Sequence, residues 1–341
     1  MPPYRFELDW IAALQGDGSL QGLMRELSWY GAESVDYVLP FAFYAVCRRA
    51  GARLYLLVAV SGVALQLAKL AFHTPRPCWI DPRIQELAGW GGYGLPSGHV
   101  FLAAALWFGV AKAIGSWWAW LAAGLIVLLT AIARLYLGVH SVCDVVAGAC
   151  FGLGLSAGLE FLETRISPAL TSWQLWHWLG ATCWLAVVLW LLGQMLQFLL
   201  QAVSDPPAWA VYSGQARRLD GLHGAIRSFL GVSYILVIAR RWAPFDLPKA
   251  LWQRGLVFGY ALAVAWCLRE ASLWLPRPEN ESARLVLDWI EVHSVNAWML
   301  LVLPWLLLKT RVFNASIVPK LEMTQKKTEF RRLRGTETTQ E

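Results

Sequence analysis

Three short stretches of the sequence concentrate the residue types that bind charged groups. The first runs from Lys69 to Arg76 and Pro77, the second is Pro96-Ser97-Gly98-His99, and the third runs from Arg134 through His140 to Asp144. Their candidate site residues include three cations, the two imidazoles of His99 and His140, and one carboxylate, and His73 also lies within the first stretch. Arginine matches tetrahedral oxyanions such as phosphate, because its guanidinium presents a planar fork of donors. The sequence therefore predicts an oxyanion site with a histidine and a carboxylate beside it.

Local chain geometry predicts where these groups lie relative to helix ends. Pro75 cannot continue a helix, and it also disfavours the helical conformation of the residue before it. The second predicted span should therefore end near Pro75, with Lys69 in its last turns and Arg76 just after it. A helix that begins at Ser97 offers unpaired N–H groups and a positive dipole end to an anion. His140 and Asp144 are four residues apart, so on one helix they would share a face.

The elements that must position these groups are membrane-spanning helices. The chain has 341 residues, of which 57% are apolar and 15% charged, whereas soluble domains carry about 25% charged residues. Apolar runs of roughly twenty residues match the length of a helix that crosses a bilayer. No stretch alternates with period two as a membrane strand would, so the predicted fold class is all-α. About nine spans are expected, near 30–47, 52–72, 98–114, 117–137, 143–162, 178–200, 222–240, 252–270 and 289–308.

This topology brings all three stretches to one membrane face. The second and fourth spans end on the face where the third and fifth begin, which is also the face where the chain starts. Loops on the opposite face carry more cations, including Arg48, Arg49, Arg240 and Arg241. The positive-inside rule predicts a cytoplasmic C-terminal tail and a site on the periplasmic, extracellular or lumenal side.

These residues resemble the signature of the type 2 phosphatidic acid phosphatases (PAP2), the superfamily of lipid phosphatases and vanadium haloperoxidases. That signature is Lys, six residues, Arg-Pro; then Pro-Ser-Gly-His; then Ser-Arg, five residues, His, three residues, Asp. The chain matches it except at Ala133, where the family usually has Ser. A nine-span layout with an outer N-terminus and a cytoplasmic tail is also similar to that of glucose-6-phosphatases.

The resemblance implies a role for each matched residue. His140 would be the nucleophile that becomes phosphohistidine, with Asp144 orienting its ring. His99 would protonate the leaving group and then activate water. Phosphoryl oxygens would be bound by Lys69, Arg76, Ser97, Gly98 and Arg134. We expect no metal and no cofactor, because fixed cations take the place of Mg²⁺ and no clustered carboxylates would hold one.

The resemblance also implies a division of the chain. We expect an interfacial N-terminal segment over residues 1–29, a PAP2-like catalytic core over 30–165, additional membrane helices over 170–310, and a basic, disordered cytoplasmic tail over 311–341. The expected partners are membrane lipids and a phosphorylated lipid or sugar-phosphate substrate, and no nucleic acid.

Other functions stay open on the sequence alone. The enzyme could act on a sugar phosphate or transfer the phosphoryl group to another alcohol, and a non-enzymatic lipid-phosphate carrier would need only the cations. His73 and Arg83 are expected to be solvated loop residues, with contact to a substrate headgroup as the alternative. Tyr136 is expected to be an interfacial aromatic or to line the pocket. Ionisable residues near later spans are expected to pair between helices, with substrate lining as the alternative: Arg227, Arg269, Glu270, Glu291 and His293.

Overall fold

A computed structural model describes residues 5–33, 36, 38–89, 91–170 and 173–242, together with positions 259, 263, 267 and 280. Within these residues the regular structure is entirely helical, which confirms the all-α prediction. The elements are α1 Arg5–Gln15, α2 Gln21–Ser28, a π-helical turn Trp29–Glu33, α3 Val38–Val46, α4 Arg48–Phe72, α5 Pro77–Ile80, α6 Gly98–Ile114, α7 Trp117–Tyr136, α8 Val142–Leu170, α9 Leu175–Gln201, α10 Ala210–Ala216 and α11 Asp220–Trp242.

Five stretches of the described chain are long and apolar enough to cross a membrane. They are Arg48–Ile80, Trp117–Tyr136, Val142–Arg165, Leu175–Gln201 and Ala210–Ile238. They confirm five of the predicted spans, and the apolar 17-residue helix α6 coincides with a sixth, at 98–114. The spans predicted at 252–270 and 289–308, like the tail over 311–341, lie outside the described residues, apart from isolated positions.

The first predicted span, 30–47, differs from the structure. Its described residues form the end of the π-helical turn and the nine-residue helix α3. Nine helical residues extend only about 14 Å, less than half of the hydrocarbon core. Pro40 lies in the first turn of α3, where the absent N–H costs nothing, so the sequence favours a new helix start at this point.

Helices α6 and α8 make an unusually close contact through glycines. A Cβ added at Gly148 would lie 2.8 Å from the carbonyl oxygen of Ser97, and one at Gly152 would lie 2.3 Å from that of Phe101. The spacing of these glycines is the small-xxx-small pattern by which membrane helices approach closely. The contact brings the first turn of α6 against the first turns of α8.

Ion pairs join three helix ends at the face opposite the candidate site. Glu163 on α8 binds Arg49 and Arg53 at the start of α4, with N–O distances of 2.8 and 3.3 Å. Glu160 pairs with Lys112 at the end of α6. The start of α4 and the ends of α6 and α8 therefore share one face, and the other ends of these helices share the opposite one.

The N-terminal helices pack over the loops at the site face. The side-chain amide of Gln15 donates to the carbonyl of Gln85 at 2.8 Å, and its oxygen accepts from the N–H of Gln85 at 2.9 Å. The hydroxyl of Tyr136, at the end of α7, accepts from the N–H of Leu20. These contacts tie α1 and the α1–α2 turn to the loops that surround the site.

Helix α11 lies against α4 and extends the bundle beyond the first four long helices. Leu222, Ile226 and Phe229 of α11 belong to the same buried apolar cluster as Tyr55 and Val63 of α4. Part of α9 joins this cluster through Ala186 and Leu200. Helices α9 and α11 are therefore packed on the helix that carries Lys69.

The glycine contact between α6 and α8 gives a stability prediction. Gly152→Ala places a methyl group against main chain that cannot rotate away, and overpacking of this kind costs about 1–3 kcal/mol. Gly154→Ala is the matched control, since a Cβ there meets nothing within 4 Å. Thermal unfolding in detergent should show a lower melting temperature for Gly152→Ala only. Equal melting temperatures for the two variants would contradict the close contact.

Candidate active site

The eight residues singled out in the sequence come from five places in the fold. Lys69 lies near the end of α4, Arg76 directly precedes α5, Arg134 lies in the last turn of α7, and His140 lies between α7 and α8. Six of the eight are buried, and Lys69 is the most exposed of these at 6%. The six buried residues are Lys69, Arg76, Ser97, Arg134, His140 and Asp144.

Arg76 is the central cation of the site. Its Nε donates to the carbonyl of Gly92 at 2.9 Å, its Nη2 to that of Tyr93 at 3.1 Å, and its Nη1 to that of Val139 at 2.7 Å. Nη1 also lies 3.2 Å from Nε2 of His140. These contacts orient a buried guanidinium beside the imidazole, and the carbonyls do so without contributing a net negative charge.

The Gly-rich loop before α6 orients Lys69 as well. The ammonium of Lys69 donates to the carbonyl of Gly91 at 2.6 Å. Three consecutive carbonyls, those of Gly91, Gly92 and Tyr93, therefore hold the two cations of the first motif. Gly94 permits the loop to pass close by, because a Cβ there would lie 2.8 Å from the Pro75 carbonyl and 3.0 Å from Asp144 Oδ2.

Arg134 is tied to the N-terminal segment. Its Nη1 donates to the hydroxyl of Ser28, the last residue of α2, at 3.2 Å. Ala133, the position at which the chain departs from the family signature, is fully buried beside it. The third cation is thus held in part by residues upstream of the predicted catalytic core.

The geometry at His140 selects one tautomer. Arginine has no acceptor, so the 3.2 Å contact with Arg76 Nη1 requires a lone pair on Nε2 of His140. The proton is then on Nδ1, which lies 3.4 Å from Oδ2 of Asp144. Nε2 is therefore the nitrogen that can attack an electrophile, and Asp144 can stabilise positive charge that develops on the ring.

Asp144 also caps the helix that carries it. Its Oδ2 accepts from the N–H of Ser141 at 2.9 Å, and the Ser141 hydroxyl accepts from the N–H of Asp144 at 3.1 Å. This reciprocal pair is a capping box at the start of α8. One of these bonds holds the carboxylate and the other holds the main chain of Asp144, which limits the freedom of the side chain to move away from His140.

The start of α6 faces the same cavity as the cations. The N–H of Ser97 donates to the carbonyl of Asp144 at 2.9 Å, so it is not available to an anion, while the first-turn N–H groups of Gly98 and His99 have no intrahelical acceptor. The hydroxyl of Ser97 is buried and has no hydrogen-bond partner within the described part of the chain. Backbone donors at this helix end therefore come from Gly98 and His99.

Burial and charge keep His140 neutral. Removal from solvent, followed by the positive charges of Arg76, Arg134 and Lys69, holds the pKa of the imidazole well below its usual value. A neutral imidazole retains its lone pair at neutral pH, whereas a protonated one could not act as a nucleophile.

The site opens into a cavity of about 1270 Å³. Six of the eight candidate residues line it, namely Lys69, Arg76, Gly98, His99, Arg134 and His140. From Lys69 the cavity follows one face of α4 through Leu65, Gly62, Ala59, Val58 and Tyr55, a distance of about 21 Å along the helix axis. Helix α11 forms part of its wall through Gly224, Ala225, Ser228 and Val232.

The donor set does not suit a resident metal. Within the described residues, no three His, Cys, Asp or Glu side chains group together as metal ligands. The groups that converge here are chiefly cations and N–H donors, which attract an anion and repel a divalent cation.

The family comparison covers this region. Residues 50–162, about a third of the chain, match the family model of the PAP2 superfamily, and this range contains all eight candidate residues. That part of the chain is therefore a PAP2 superfamily domain, which confirms the family predicted from the motifs. The domain and the five long apolar helices make the protein a membrane enzyme of the phosphatase type. No match was found among curated proteins or among solved structures.

Several contacts at the site were not anticipated from the sequence. Ser28 and the carbonyls of the Gly-rich loop had no chemical signature, although the run of glycines from 89 to 94 marked a place of close approach. His73 is not a solvated residue, because its Nε2 lies 2.9 Å from Asp205 and its side chain is 13% exposed. Arg83 is a solvated loop residue as expected, with its side chain 57% exposed, and it pairs with Asp9 and Asp81.

Proposed function

We propose that the protein is a metal-independent phosphatase that hydrolyses the phosphate monoester of a membrane lipid through a phosphohistidine formed on His140. One observation carries this proposal: a neutral imidazole and three fixed cations stand at the head of a cavity that descends about 21 Å along an apolar helix face. A phosphate headgroup would bind among the cations, and a tail would lie along α4.

The cavity wall favours a lipid over a soluble sugar phosphate. The part of the wall formed by α4, α6 and α11 includes the apolar side chains of Val58, Leu65, Phe101, Leu102 and Val232, while the polar side chains of Arg25, Glu26, Asp36, Ser61 and Ser228 also line the cavity. Against the apolar part a sugar would leave hydroxyls without partners, and unpaired buried polar groups are costly. An acyl or isoprenoid chain has no polar groups to pair there.

The first half of the reaction would form the phosphohistidine. The lone pair on Nε2 of His140 attacks phosphorus in line with the ester oxygen, the P–O bond to the lipid alcohol breaks, and His99 donates a proton to the departing alkoxide. Lys69, Arg76 and Arg134 neutralise the phosphoryl oxygens. Asp144 stabilises the positive charge on the imidazole ring.

The second half would release phosphate. His99, now neutral, takes a proton from water, the oxygen attacks phosphorus, and the N–P bond breaks with its electron pair returning to His140. Inorganic phosphate leaves, and His99 regains the protonated state with which the cycle began. No redox partner or cofactor enters this balance.

We place the reaction on the periplasmic, extracellular or lumenal side. The support is the distribution of charge: the site shares a face with the start of the chain, while Arg49, Arg53 and Lys112 gather at the opposite face. The positive-inside rule assigns such a cation-rich face to the cytoplasm.

Phosphate release by purified protein tests the reaction and its nucleophile. Wild type should release phosphate from long-chain lipid phosphates in preference to sugar phosphates, and EDTA should not reduce the rate. His140→Ala should lower kcat by at least about 10³-fold, as expected for loss of a covalent nucleophile.

The control for that experiment is His177→Ala, an exposed histidine at the start of α9, which should behave as wild type. Full release by His140→Ala would refute the assigned nucleophile, and strong inhibition by EDTA would refute the metal-free mechanism. Preference for a sugar phosphate would refute the lipid substrate.

The length of the cavity predicts selectivity for the tail. A Cβ added at Gly62 meets only Ala225, at 3.5 Å, so the side chain of Gly62→Leu would extend into the cavity. Steric overlap of this kind costs about 1–3 kcal/mol, so kcat/KM for long-chain substrates should fall about tenfold relative to short-chain ones. Ala64→Leu, on the same helix but not in the cavity wall, should leave the ratio unchanged. An unchanged ratio in Gly62→Leu would place the tail elsewhere.

Sidedness is measurable with an impermeant thiol reagent on a cysteine-free background in intact cells or sealed membranes. A cysteine at Gly89, an exposed position in the loop before α6, should react from the outer or lumenal side. A cysteine at Trp117, which is 78% exposed at the other face, should react only after permeabilisation. The reverse pattern would invert the proposed orientation.

A further inference from the structure

Two charged residues outside the PAP2 domain, Asp205 and Arg217, contact both chain segments that position the first-motif cations. Asp205, in the segment between α9 and α10, lies between an imidazole and a guanidinium: its Oδ1 is 2.9 Å from Nε2 of His73, and its Oδ2 is 2.5 Å from Nη2 of Arg217. The side chain of Asp205 is only 4% exposed. Arg217 Nη2 also donates to the carbonyl of Val203 at 2.7 Å, which fixes the guanidinium in place.

One arm of this cluster reaches the Gly-rich loop. Nε of Arg217 donates to the hydroxyl of Tyr93 at 3.3 Å, and the main-chain carbonyl of Tyr93 accepts from Arg76. The Tyr93 ring packs against His73 with centroids 4.5 Å apart and against Trp209 at 6.5 Å. A single residue, Tyr93, therefore links Arg217 to Arg76, the central cation of the site.

The other arm reaches the segment that carries Arg76 itself. His73 caps the end of α4, with a left-handed φ of 48°, and lies three residues before Arg76. Between them, Thr74 accepts from the N–H of Gly94 at its carbonyl and from the N–H of Leu95 at its hydroxyl. Asp205 therefore holds, through His73 and through Arg217, the two chain segments that together fix Arg76.

We infer that Asp205 and Arg217 are positioning residues that set the affinity of the site for the phosphoryl group, and we name His73, Asp205, Arg217 and Tyr93 the positioning cluster. The inference rests on the proposed function, because it concerns the same oxyanion site. It assigns a task to the α9–α10 segment, which lies outside the matched range 50–162. None of these four side chains need touch the substrate, since they act through the loop carbonyls that aim Arg76 and Lys69.

The cluster has a feature that a purely structural ion pair lacks. An ion pair that only joined helices would affect stability alone. Here Arg217 also hydrogen-bonds to the hydroxyl of Tyr93, and the main-chain carbonyl of Tyr93 accepts a hydrogen bond from Arg76. A displacement on the order of 1 Å of a group in an active site can cost about 10²-fold in rate. Removing the charge of Asp205 should therefore affect oxyanion binding more than it affects folding.

The test measures binding of inorganic vanadate, a mimic of the transferring phosphoryl group, as an inhibition constant and as a rise in melting temperature. Asp205→Asn should weaken vanadate binding and raise KM for a lipid phosphate by about tenfold or more, with a smaller effect on kcat. Tyr93→Phe removes only the hydroxyl that accepts from Arg217, so it should shift the same two constants in the same direction and leave the melting temperature near that of wild type.

Two reference variants calibrate the result. Glu163→Gln removes a carboxylate that pairs with two arginines at the opposite face; because Arg49 is 78% exposed, it should change the melting temperature little and leave vanadate binding within about twofold of wild type. Arg76→Lys shows the effect of direct loss at the site. Should Asp205→Asn fail to fold, Tyr93→Phe decides the question alone.

The failures of the two proposals can be told apart. Wild-type vanadate binding in Asp205→Asn and Tyr93→Phe, or equal weakening in Glu163→Gln, overturns the positioning cluster while the enzyme remains active. A wild-type protein that neither binds vanadate nor releases phosphate overturns the proposed function and the positioning cluster with it.

Discussion

The site depends on buried positive charge that is oriented by uncharged groups. Lys69 and Arg76 are held by the carbonyls of Gly91, Gly92 and Tyr93, which provide direction without adding a net negative charge. Cations removed from water are expensive to keep unless an anion compensates them. The proposed binding of a tetrahedral oxyanion depends on this excess of positive charge, because Lys69, Arg76 and Arg134 outnumber Asp144, the one carboxylate among the candidate site residues.

Close helix packing makes that arrangement rigid. Gly148 lets α8 approach the carbonyl of Ser97, and the N–H of Ser97 in turn donates to the carbonyl of Asp144. The first turns of α6 and α8 are thereby joined through main chain. His140 lies two residues before α8 and His99 lies in the first turn of α6, so this contact fixes the relative positions of the proposed nucleophile and proton donor. Preorganisation of this kind spares the enzyme reorganisation during the reaction.

The parts of the chain outside the PAP2 domain complete the site. The N-terminal helices contribute Ser28 to Arg134, α11 supplies part of the cavity wall, and Asp205 stands behind the loops that hold Arg76. The family domain thus carries the groups proposed to react, and the flanking segments contribute contacts to those groups and part of the cavity wall.

The sequence by itself determined the helical class, five of the spans and the family, because apolar length, helix-breaking prolines and motif spacing are local properties of the chain. Hydropathy alone did not resolve residues 30–47, where Pro40 favours a new helix start within an apolar run. Only the tertiary structure decided which groups orient the cations. Arg134 meets Ser28 across 106 positions and Arg217 meets Tyr93 across 124. Such pairs depend on how whole helices pack, and no local pattern encodes that packing.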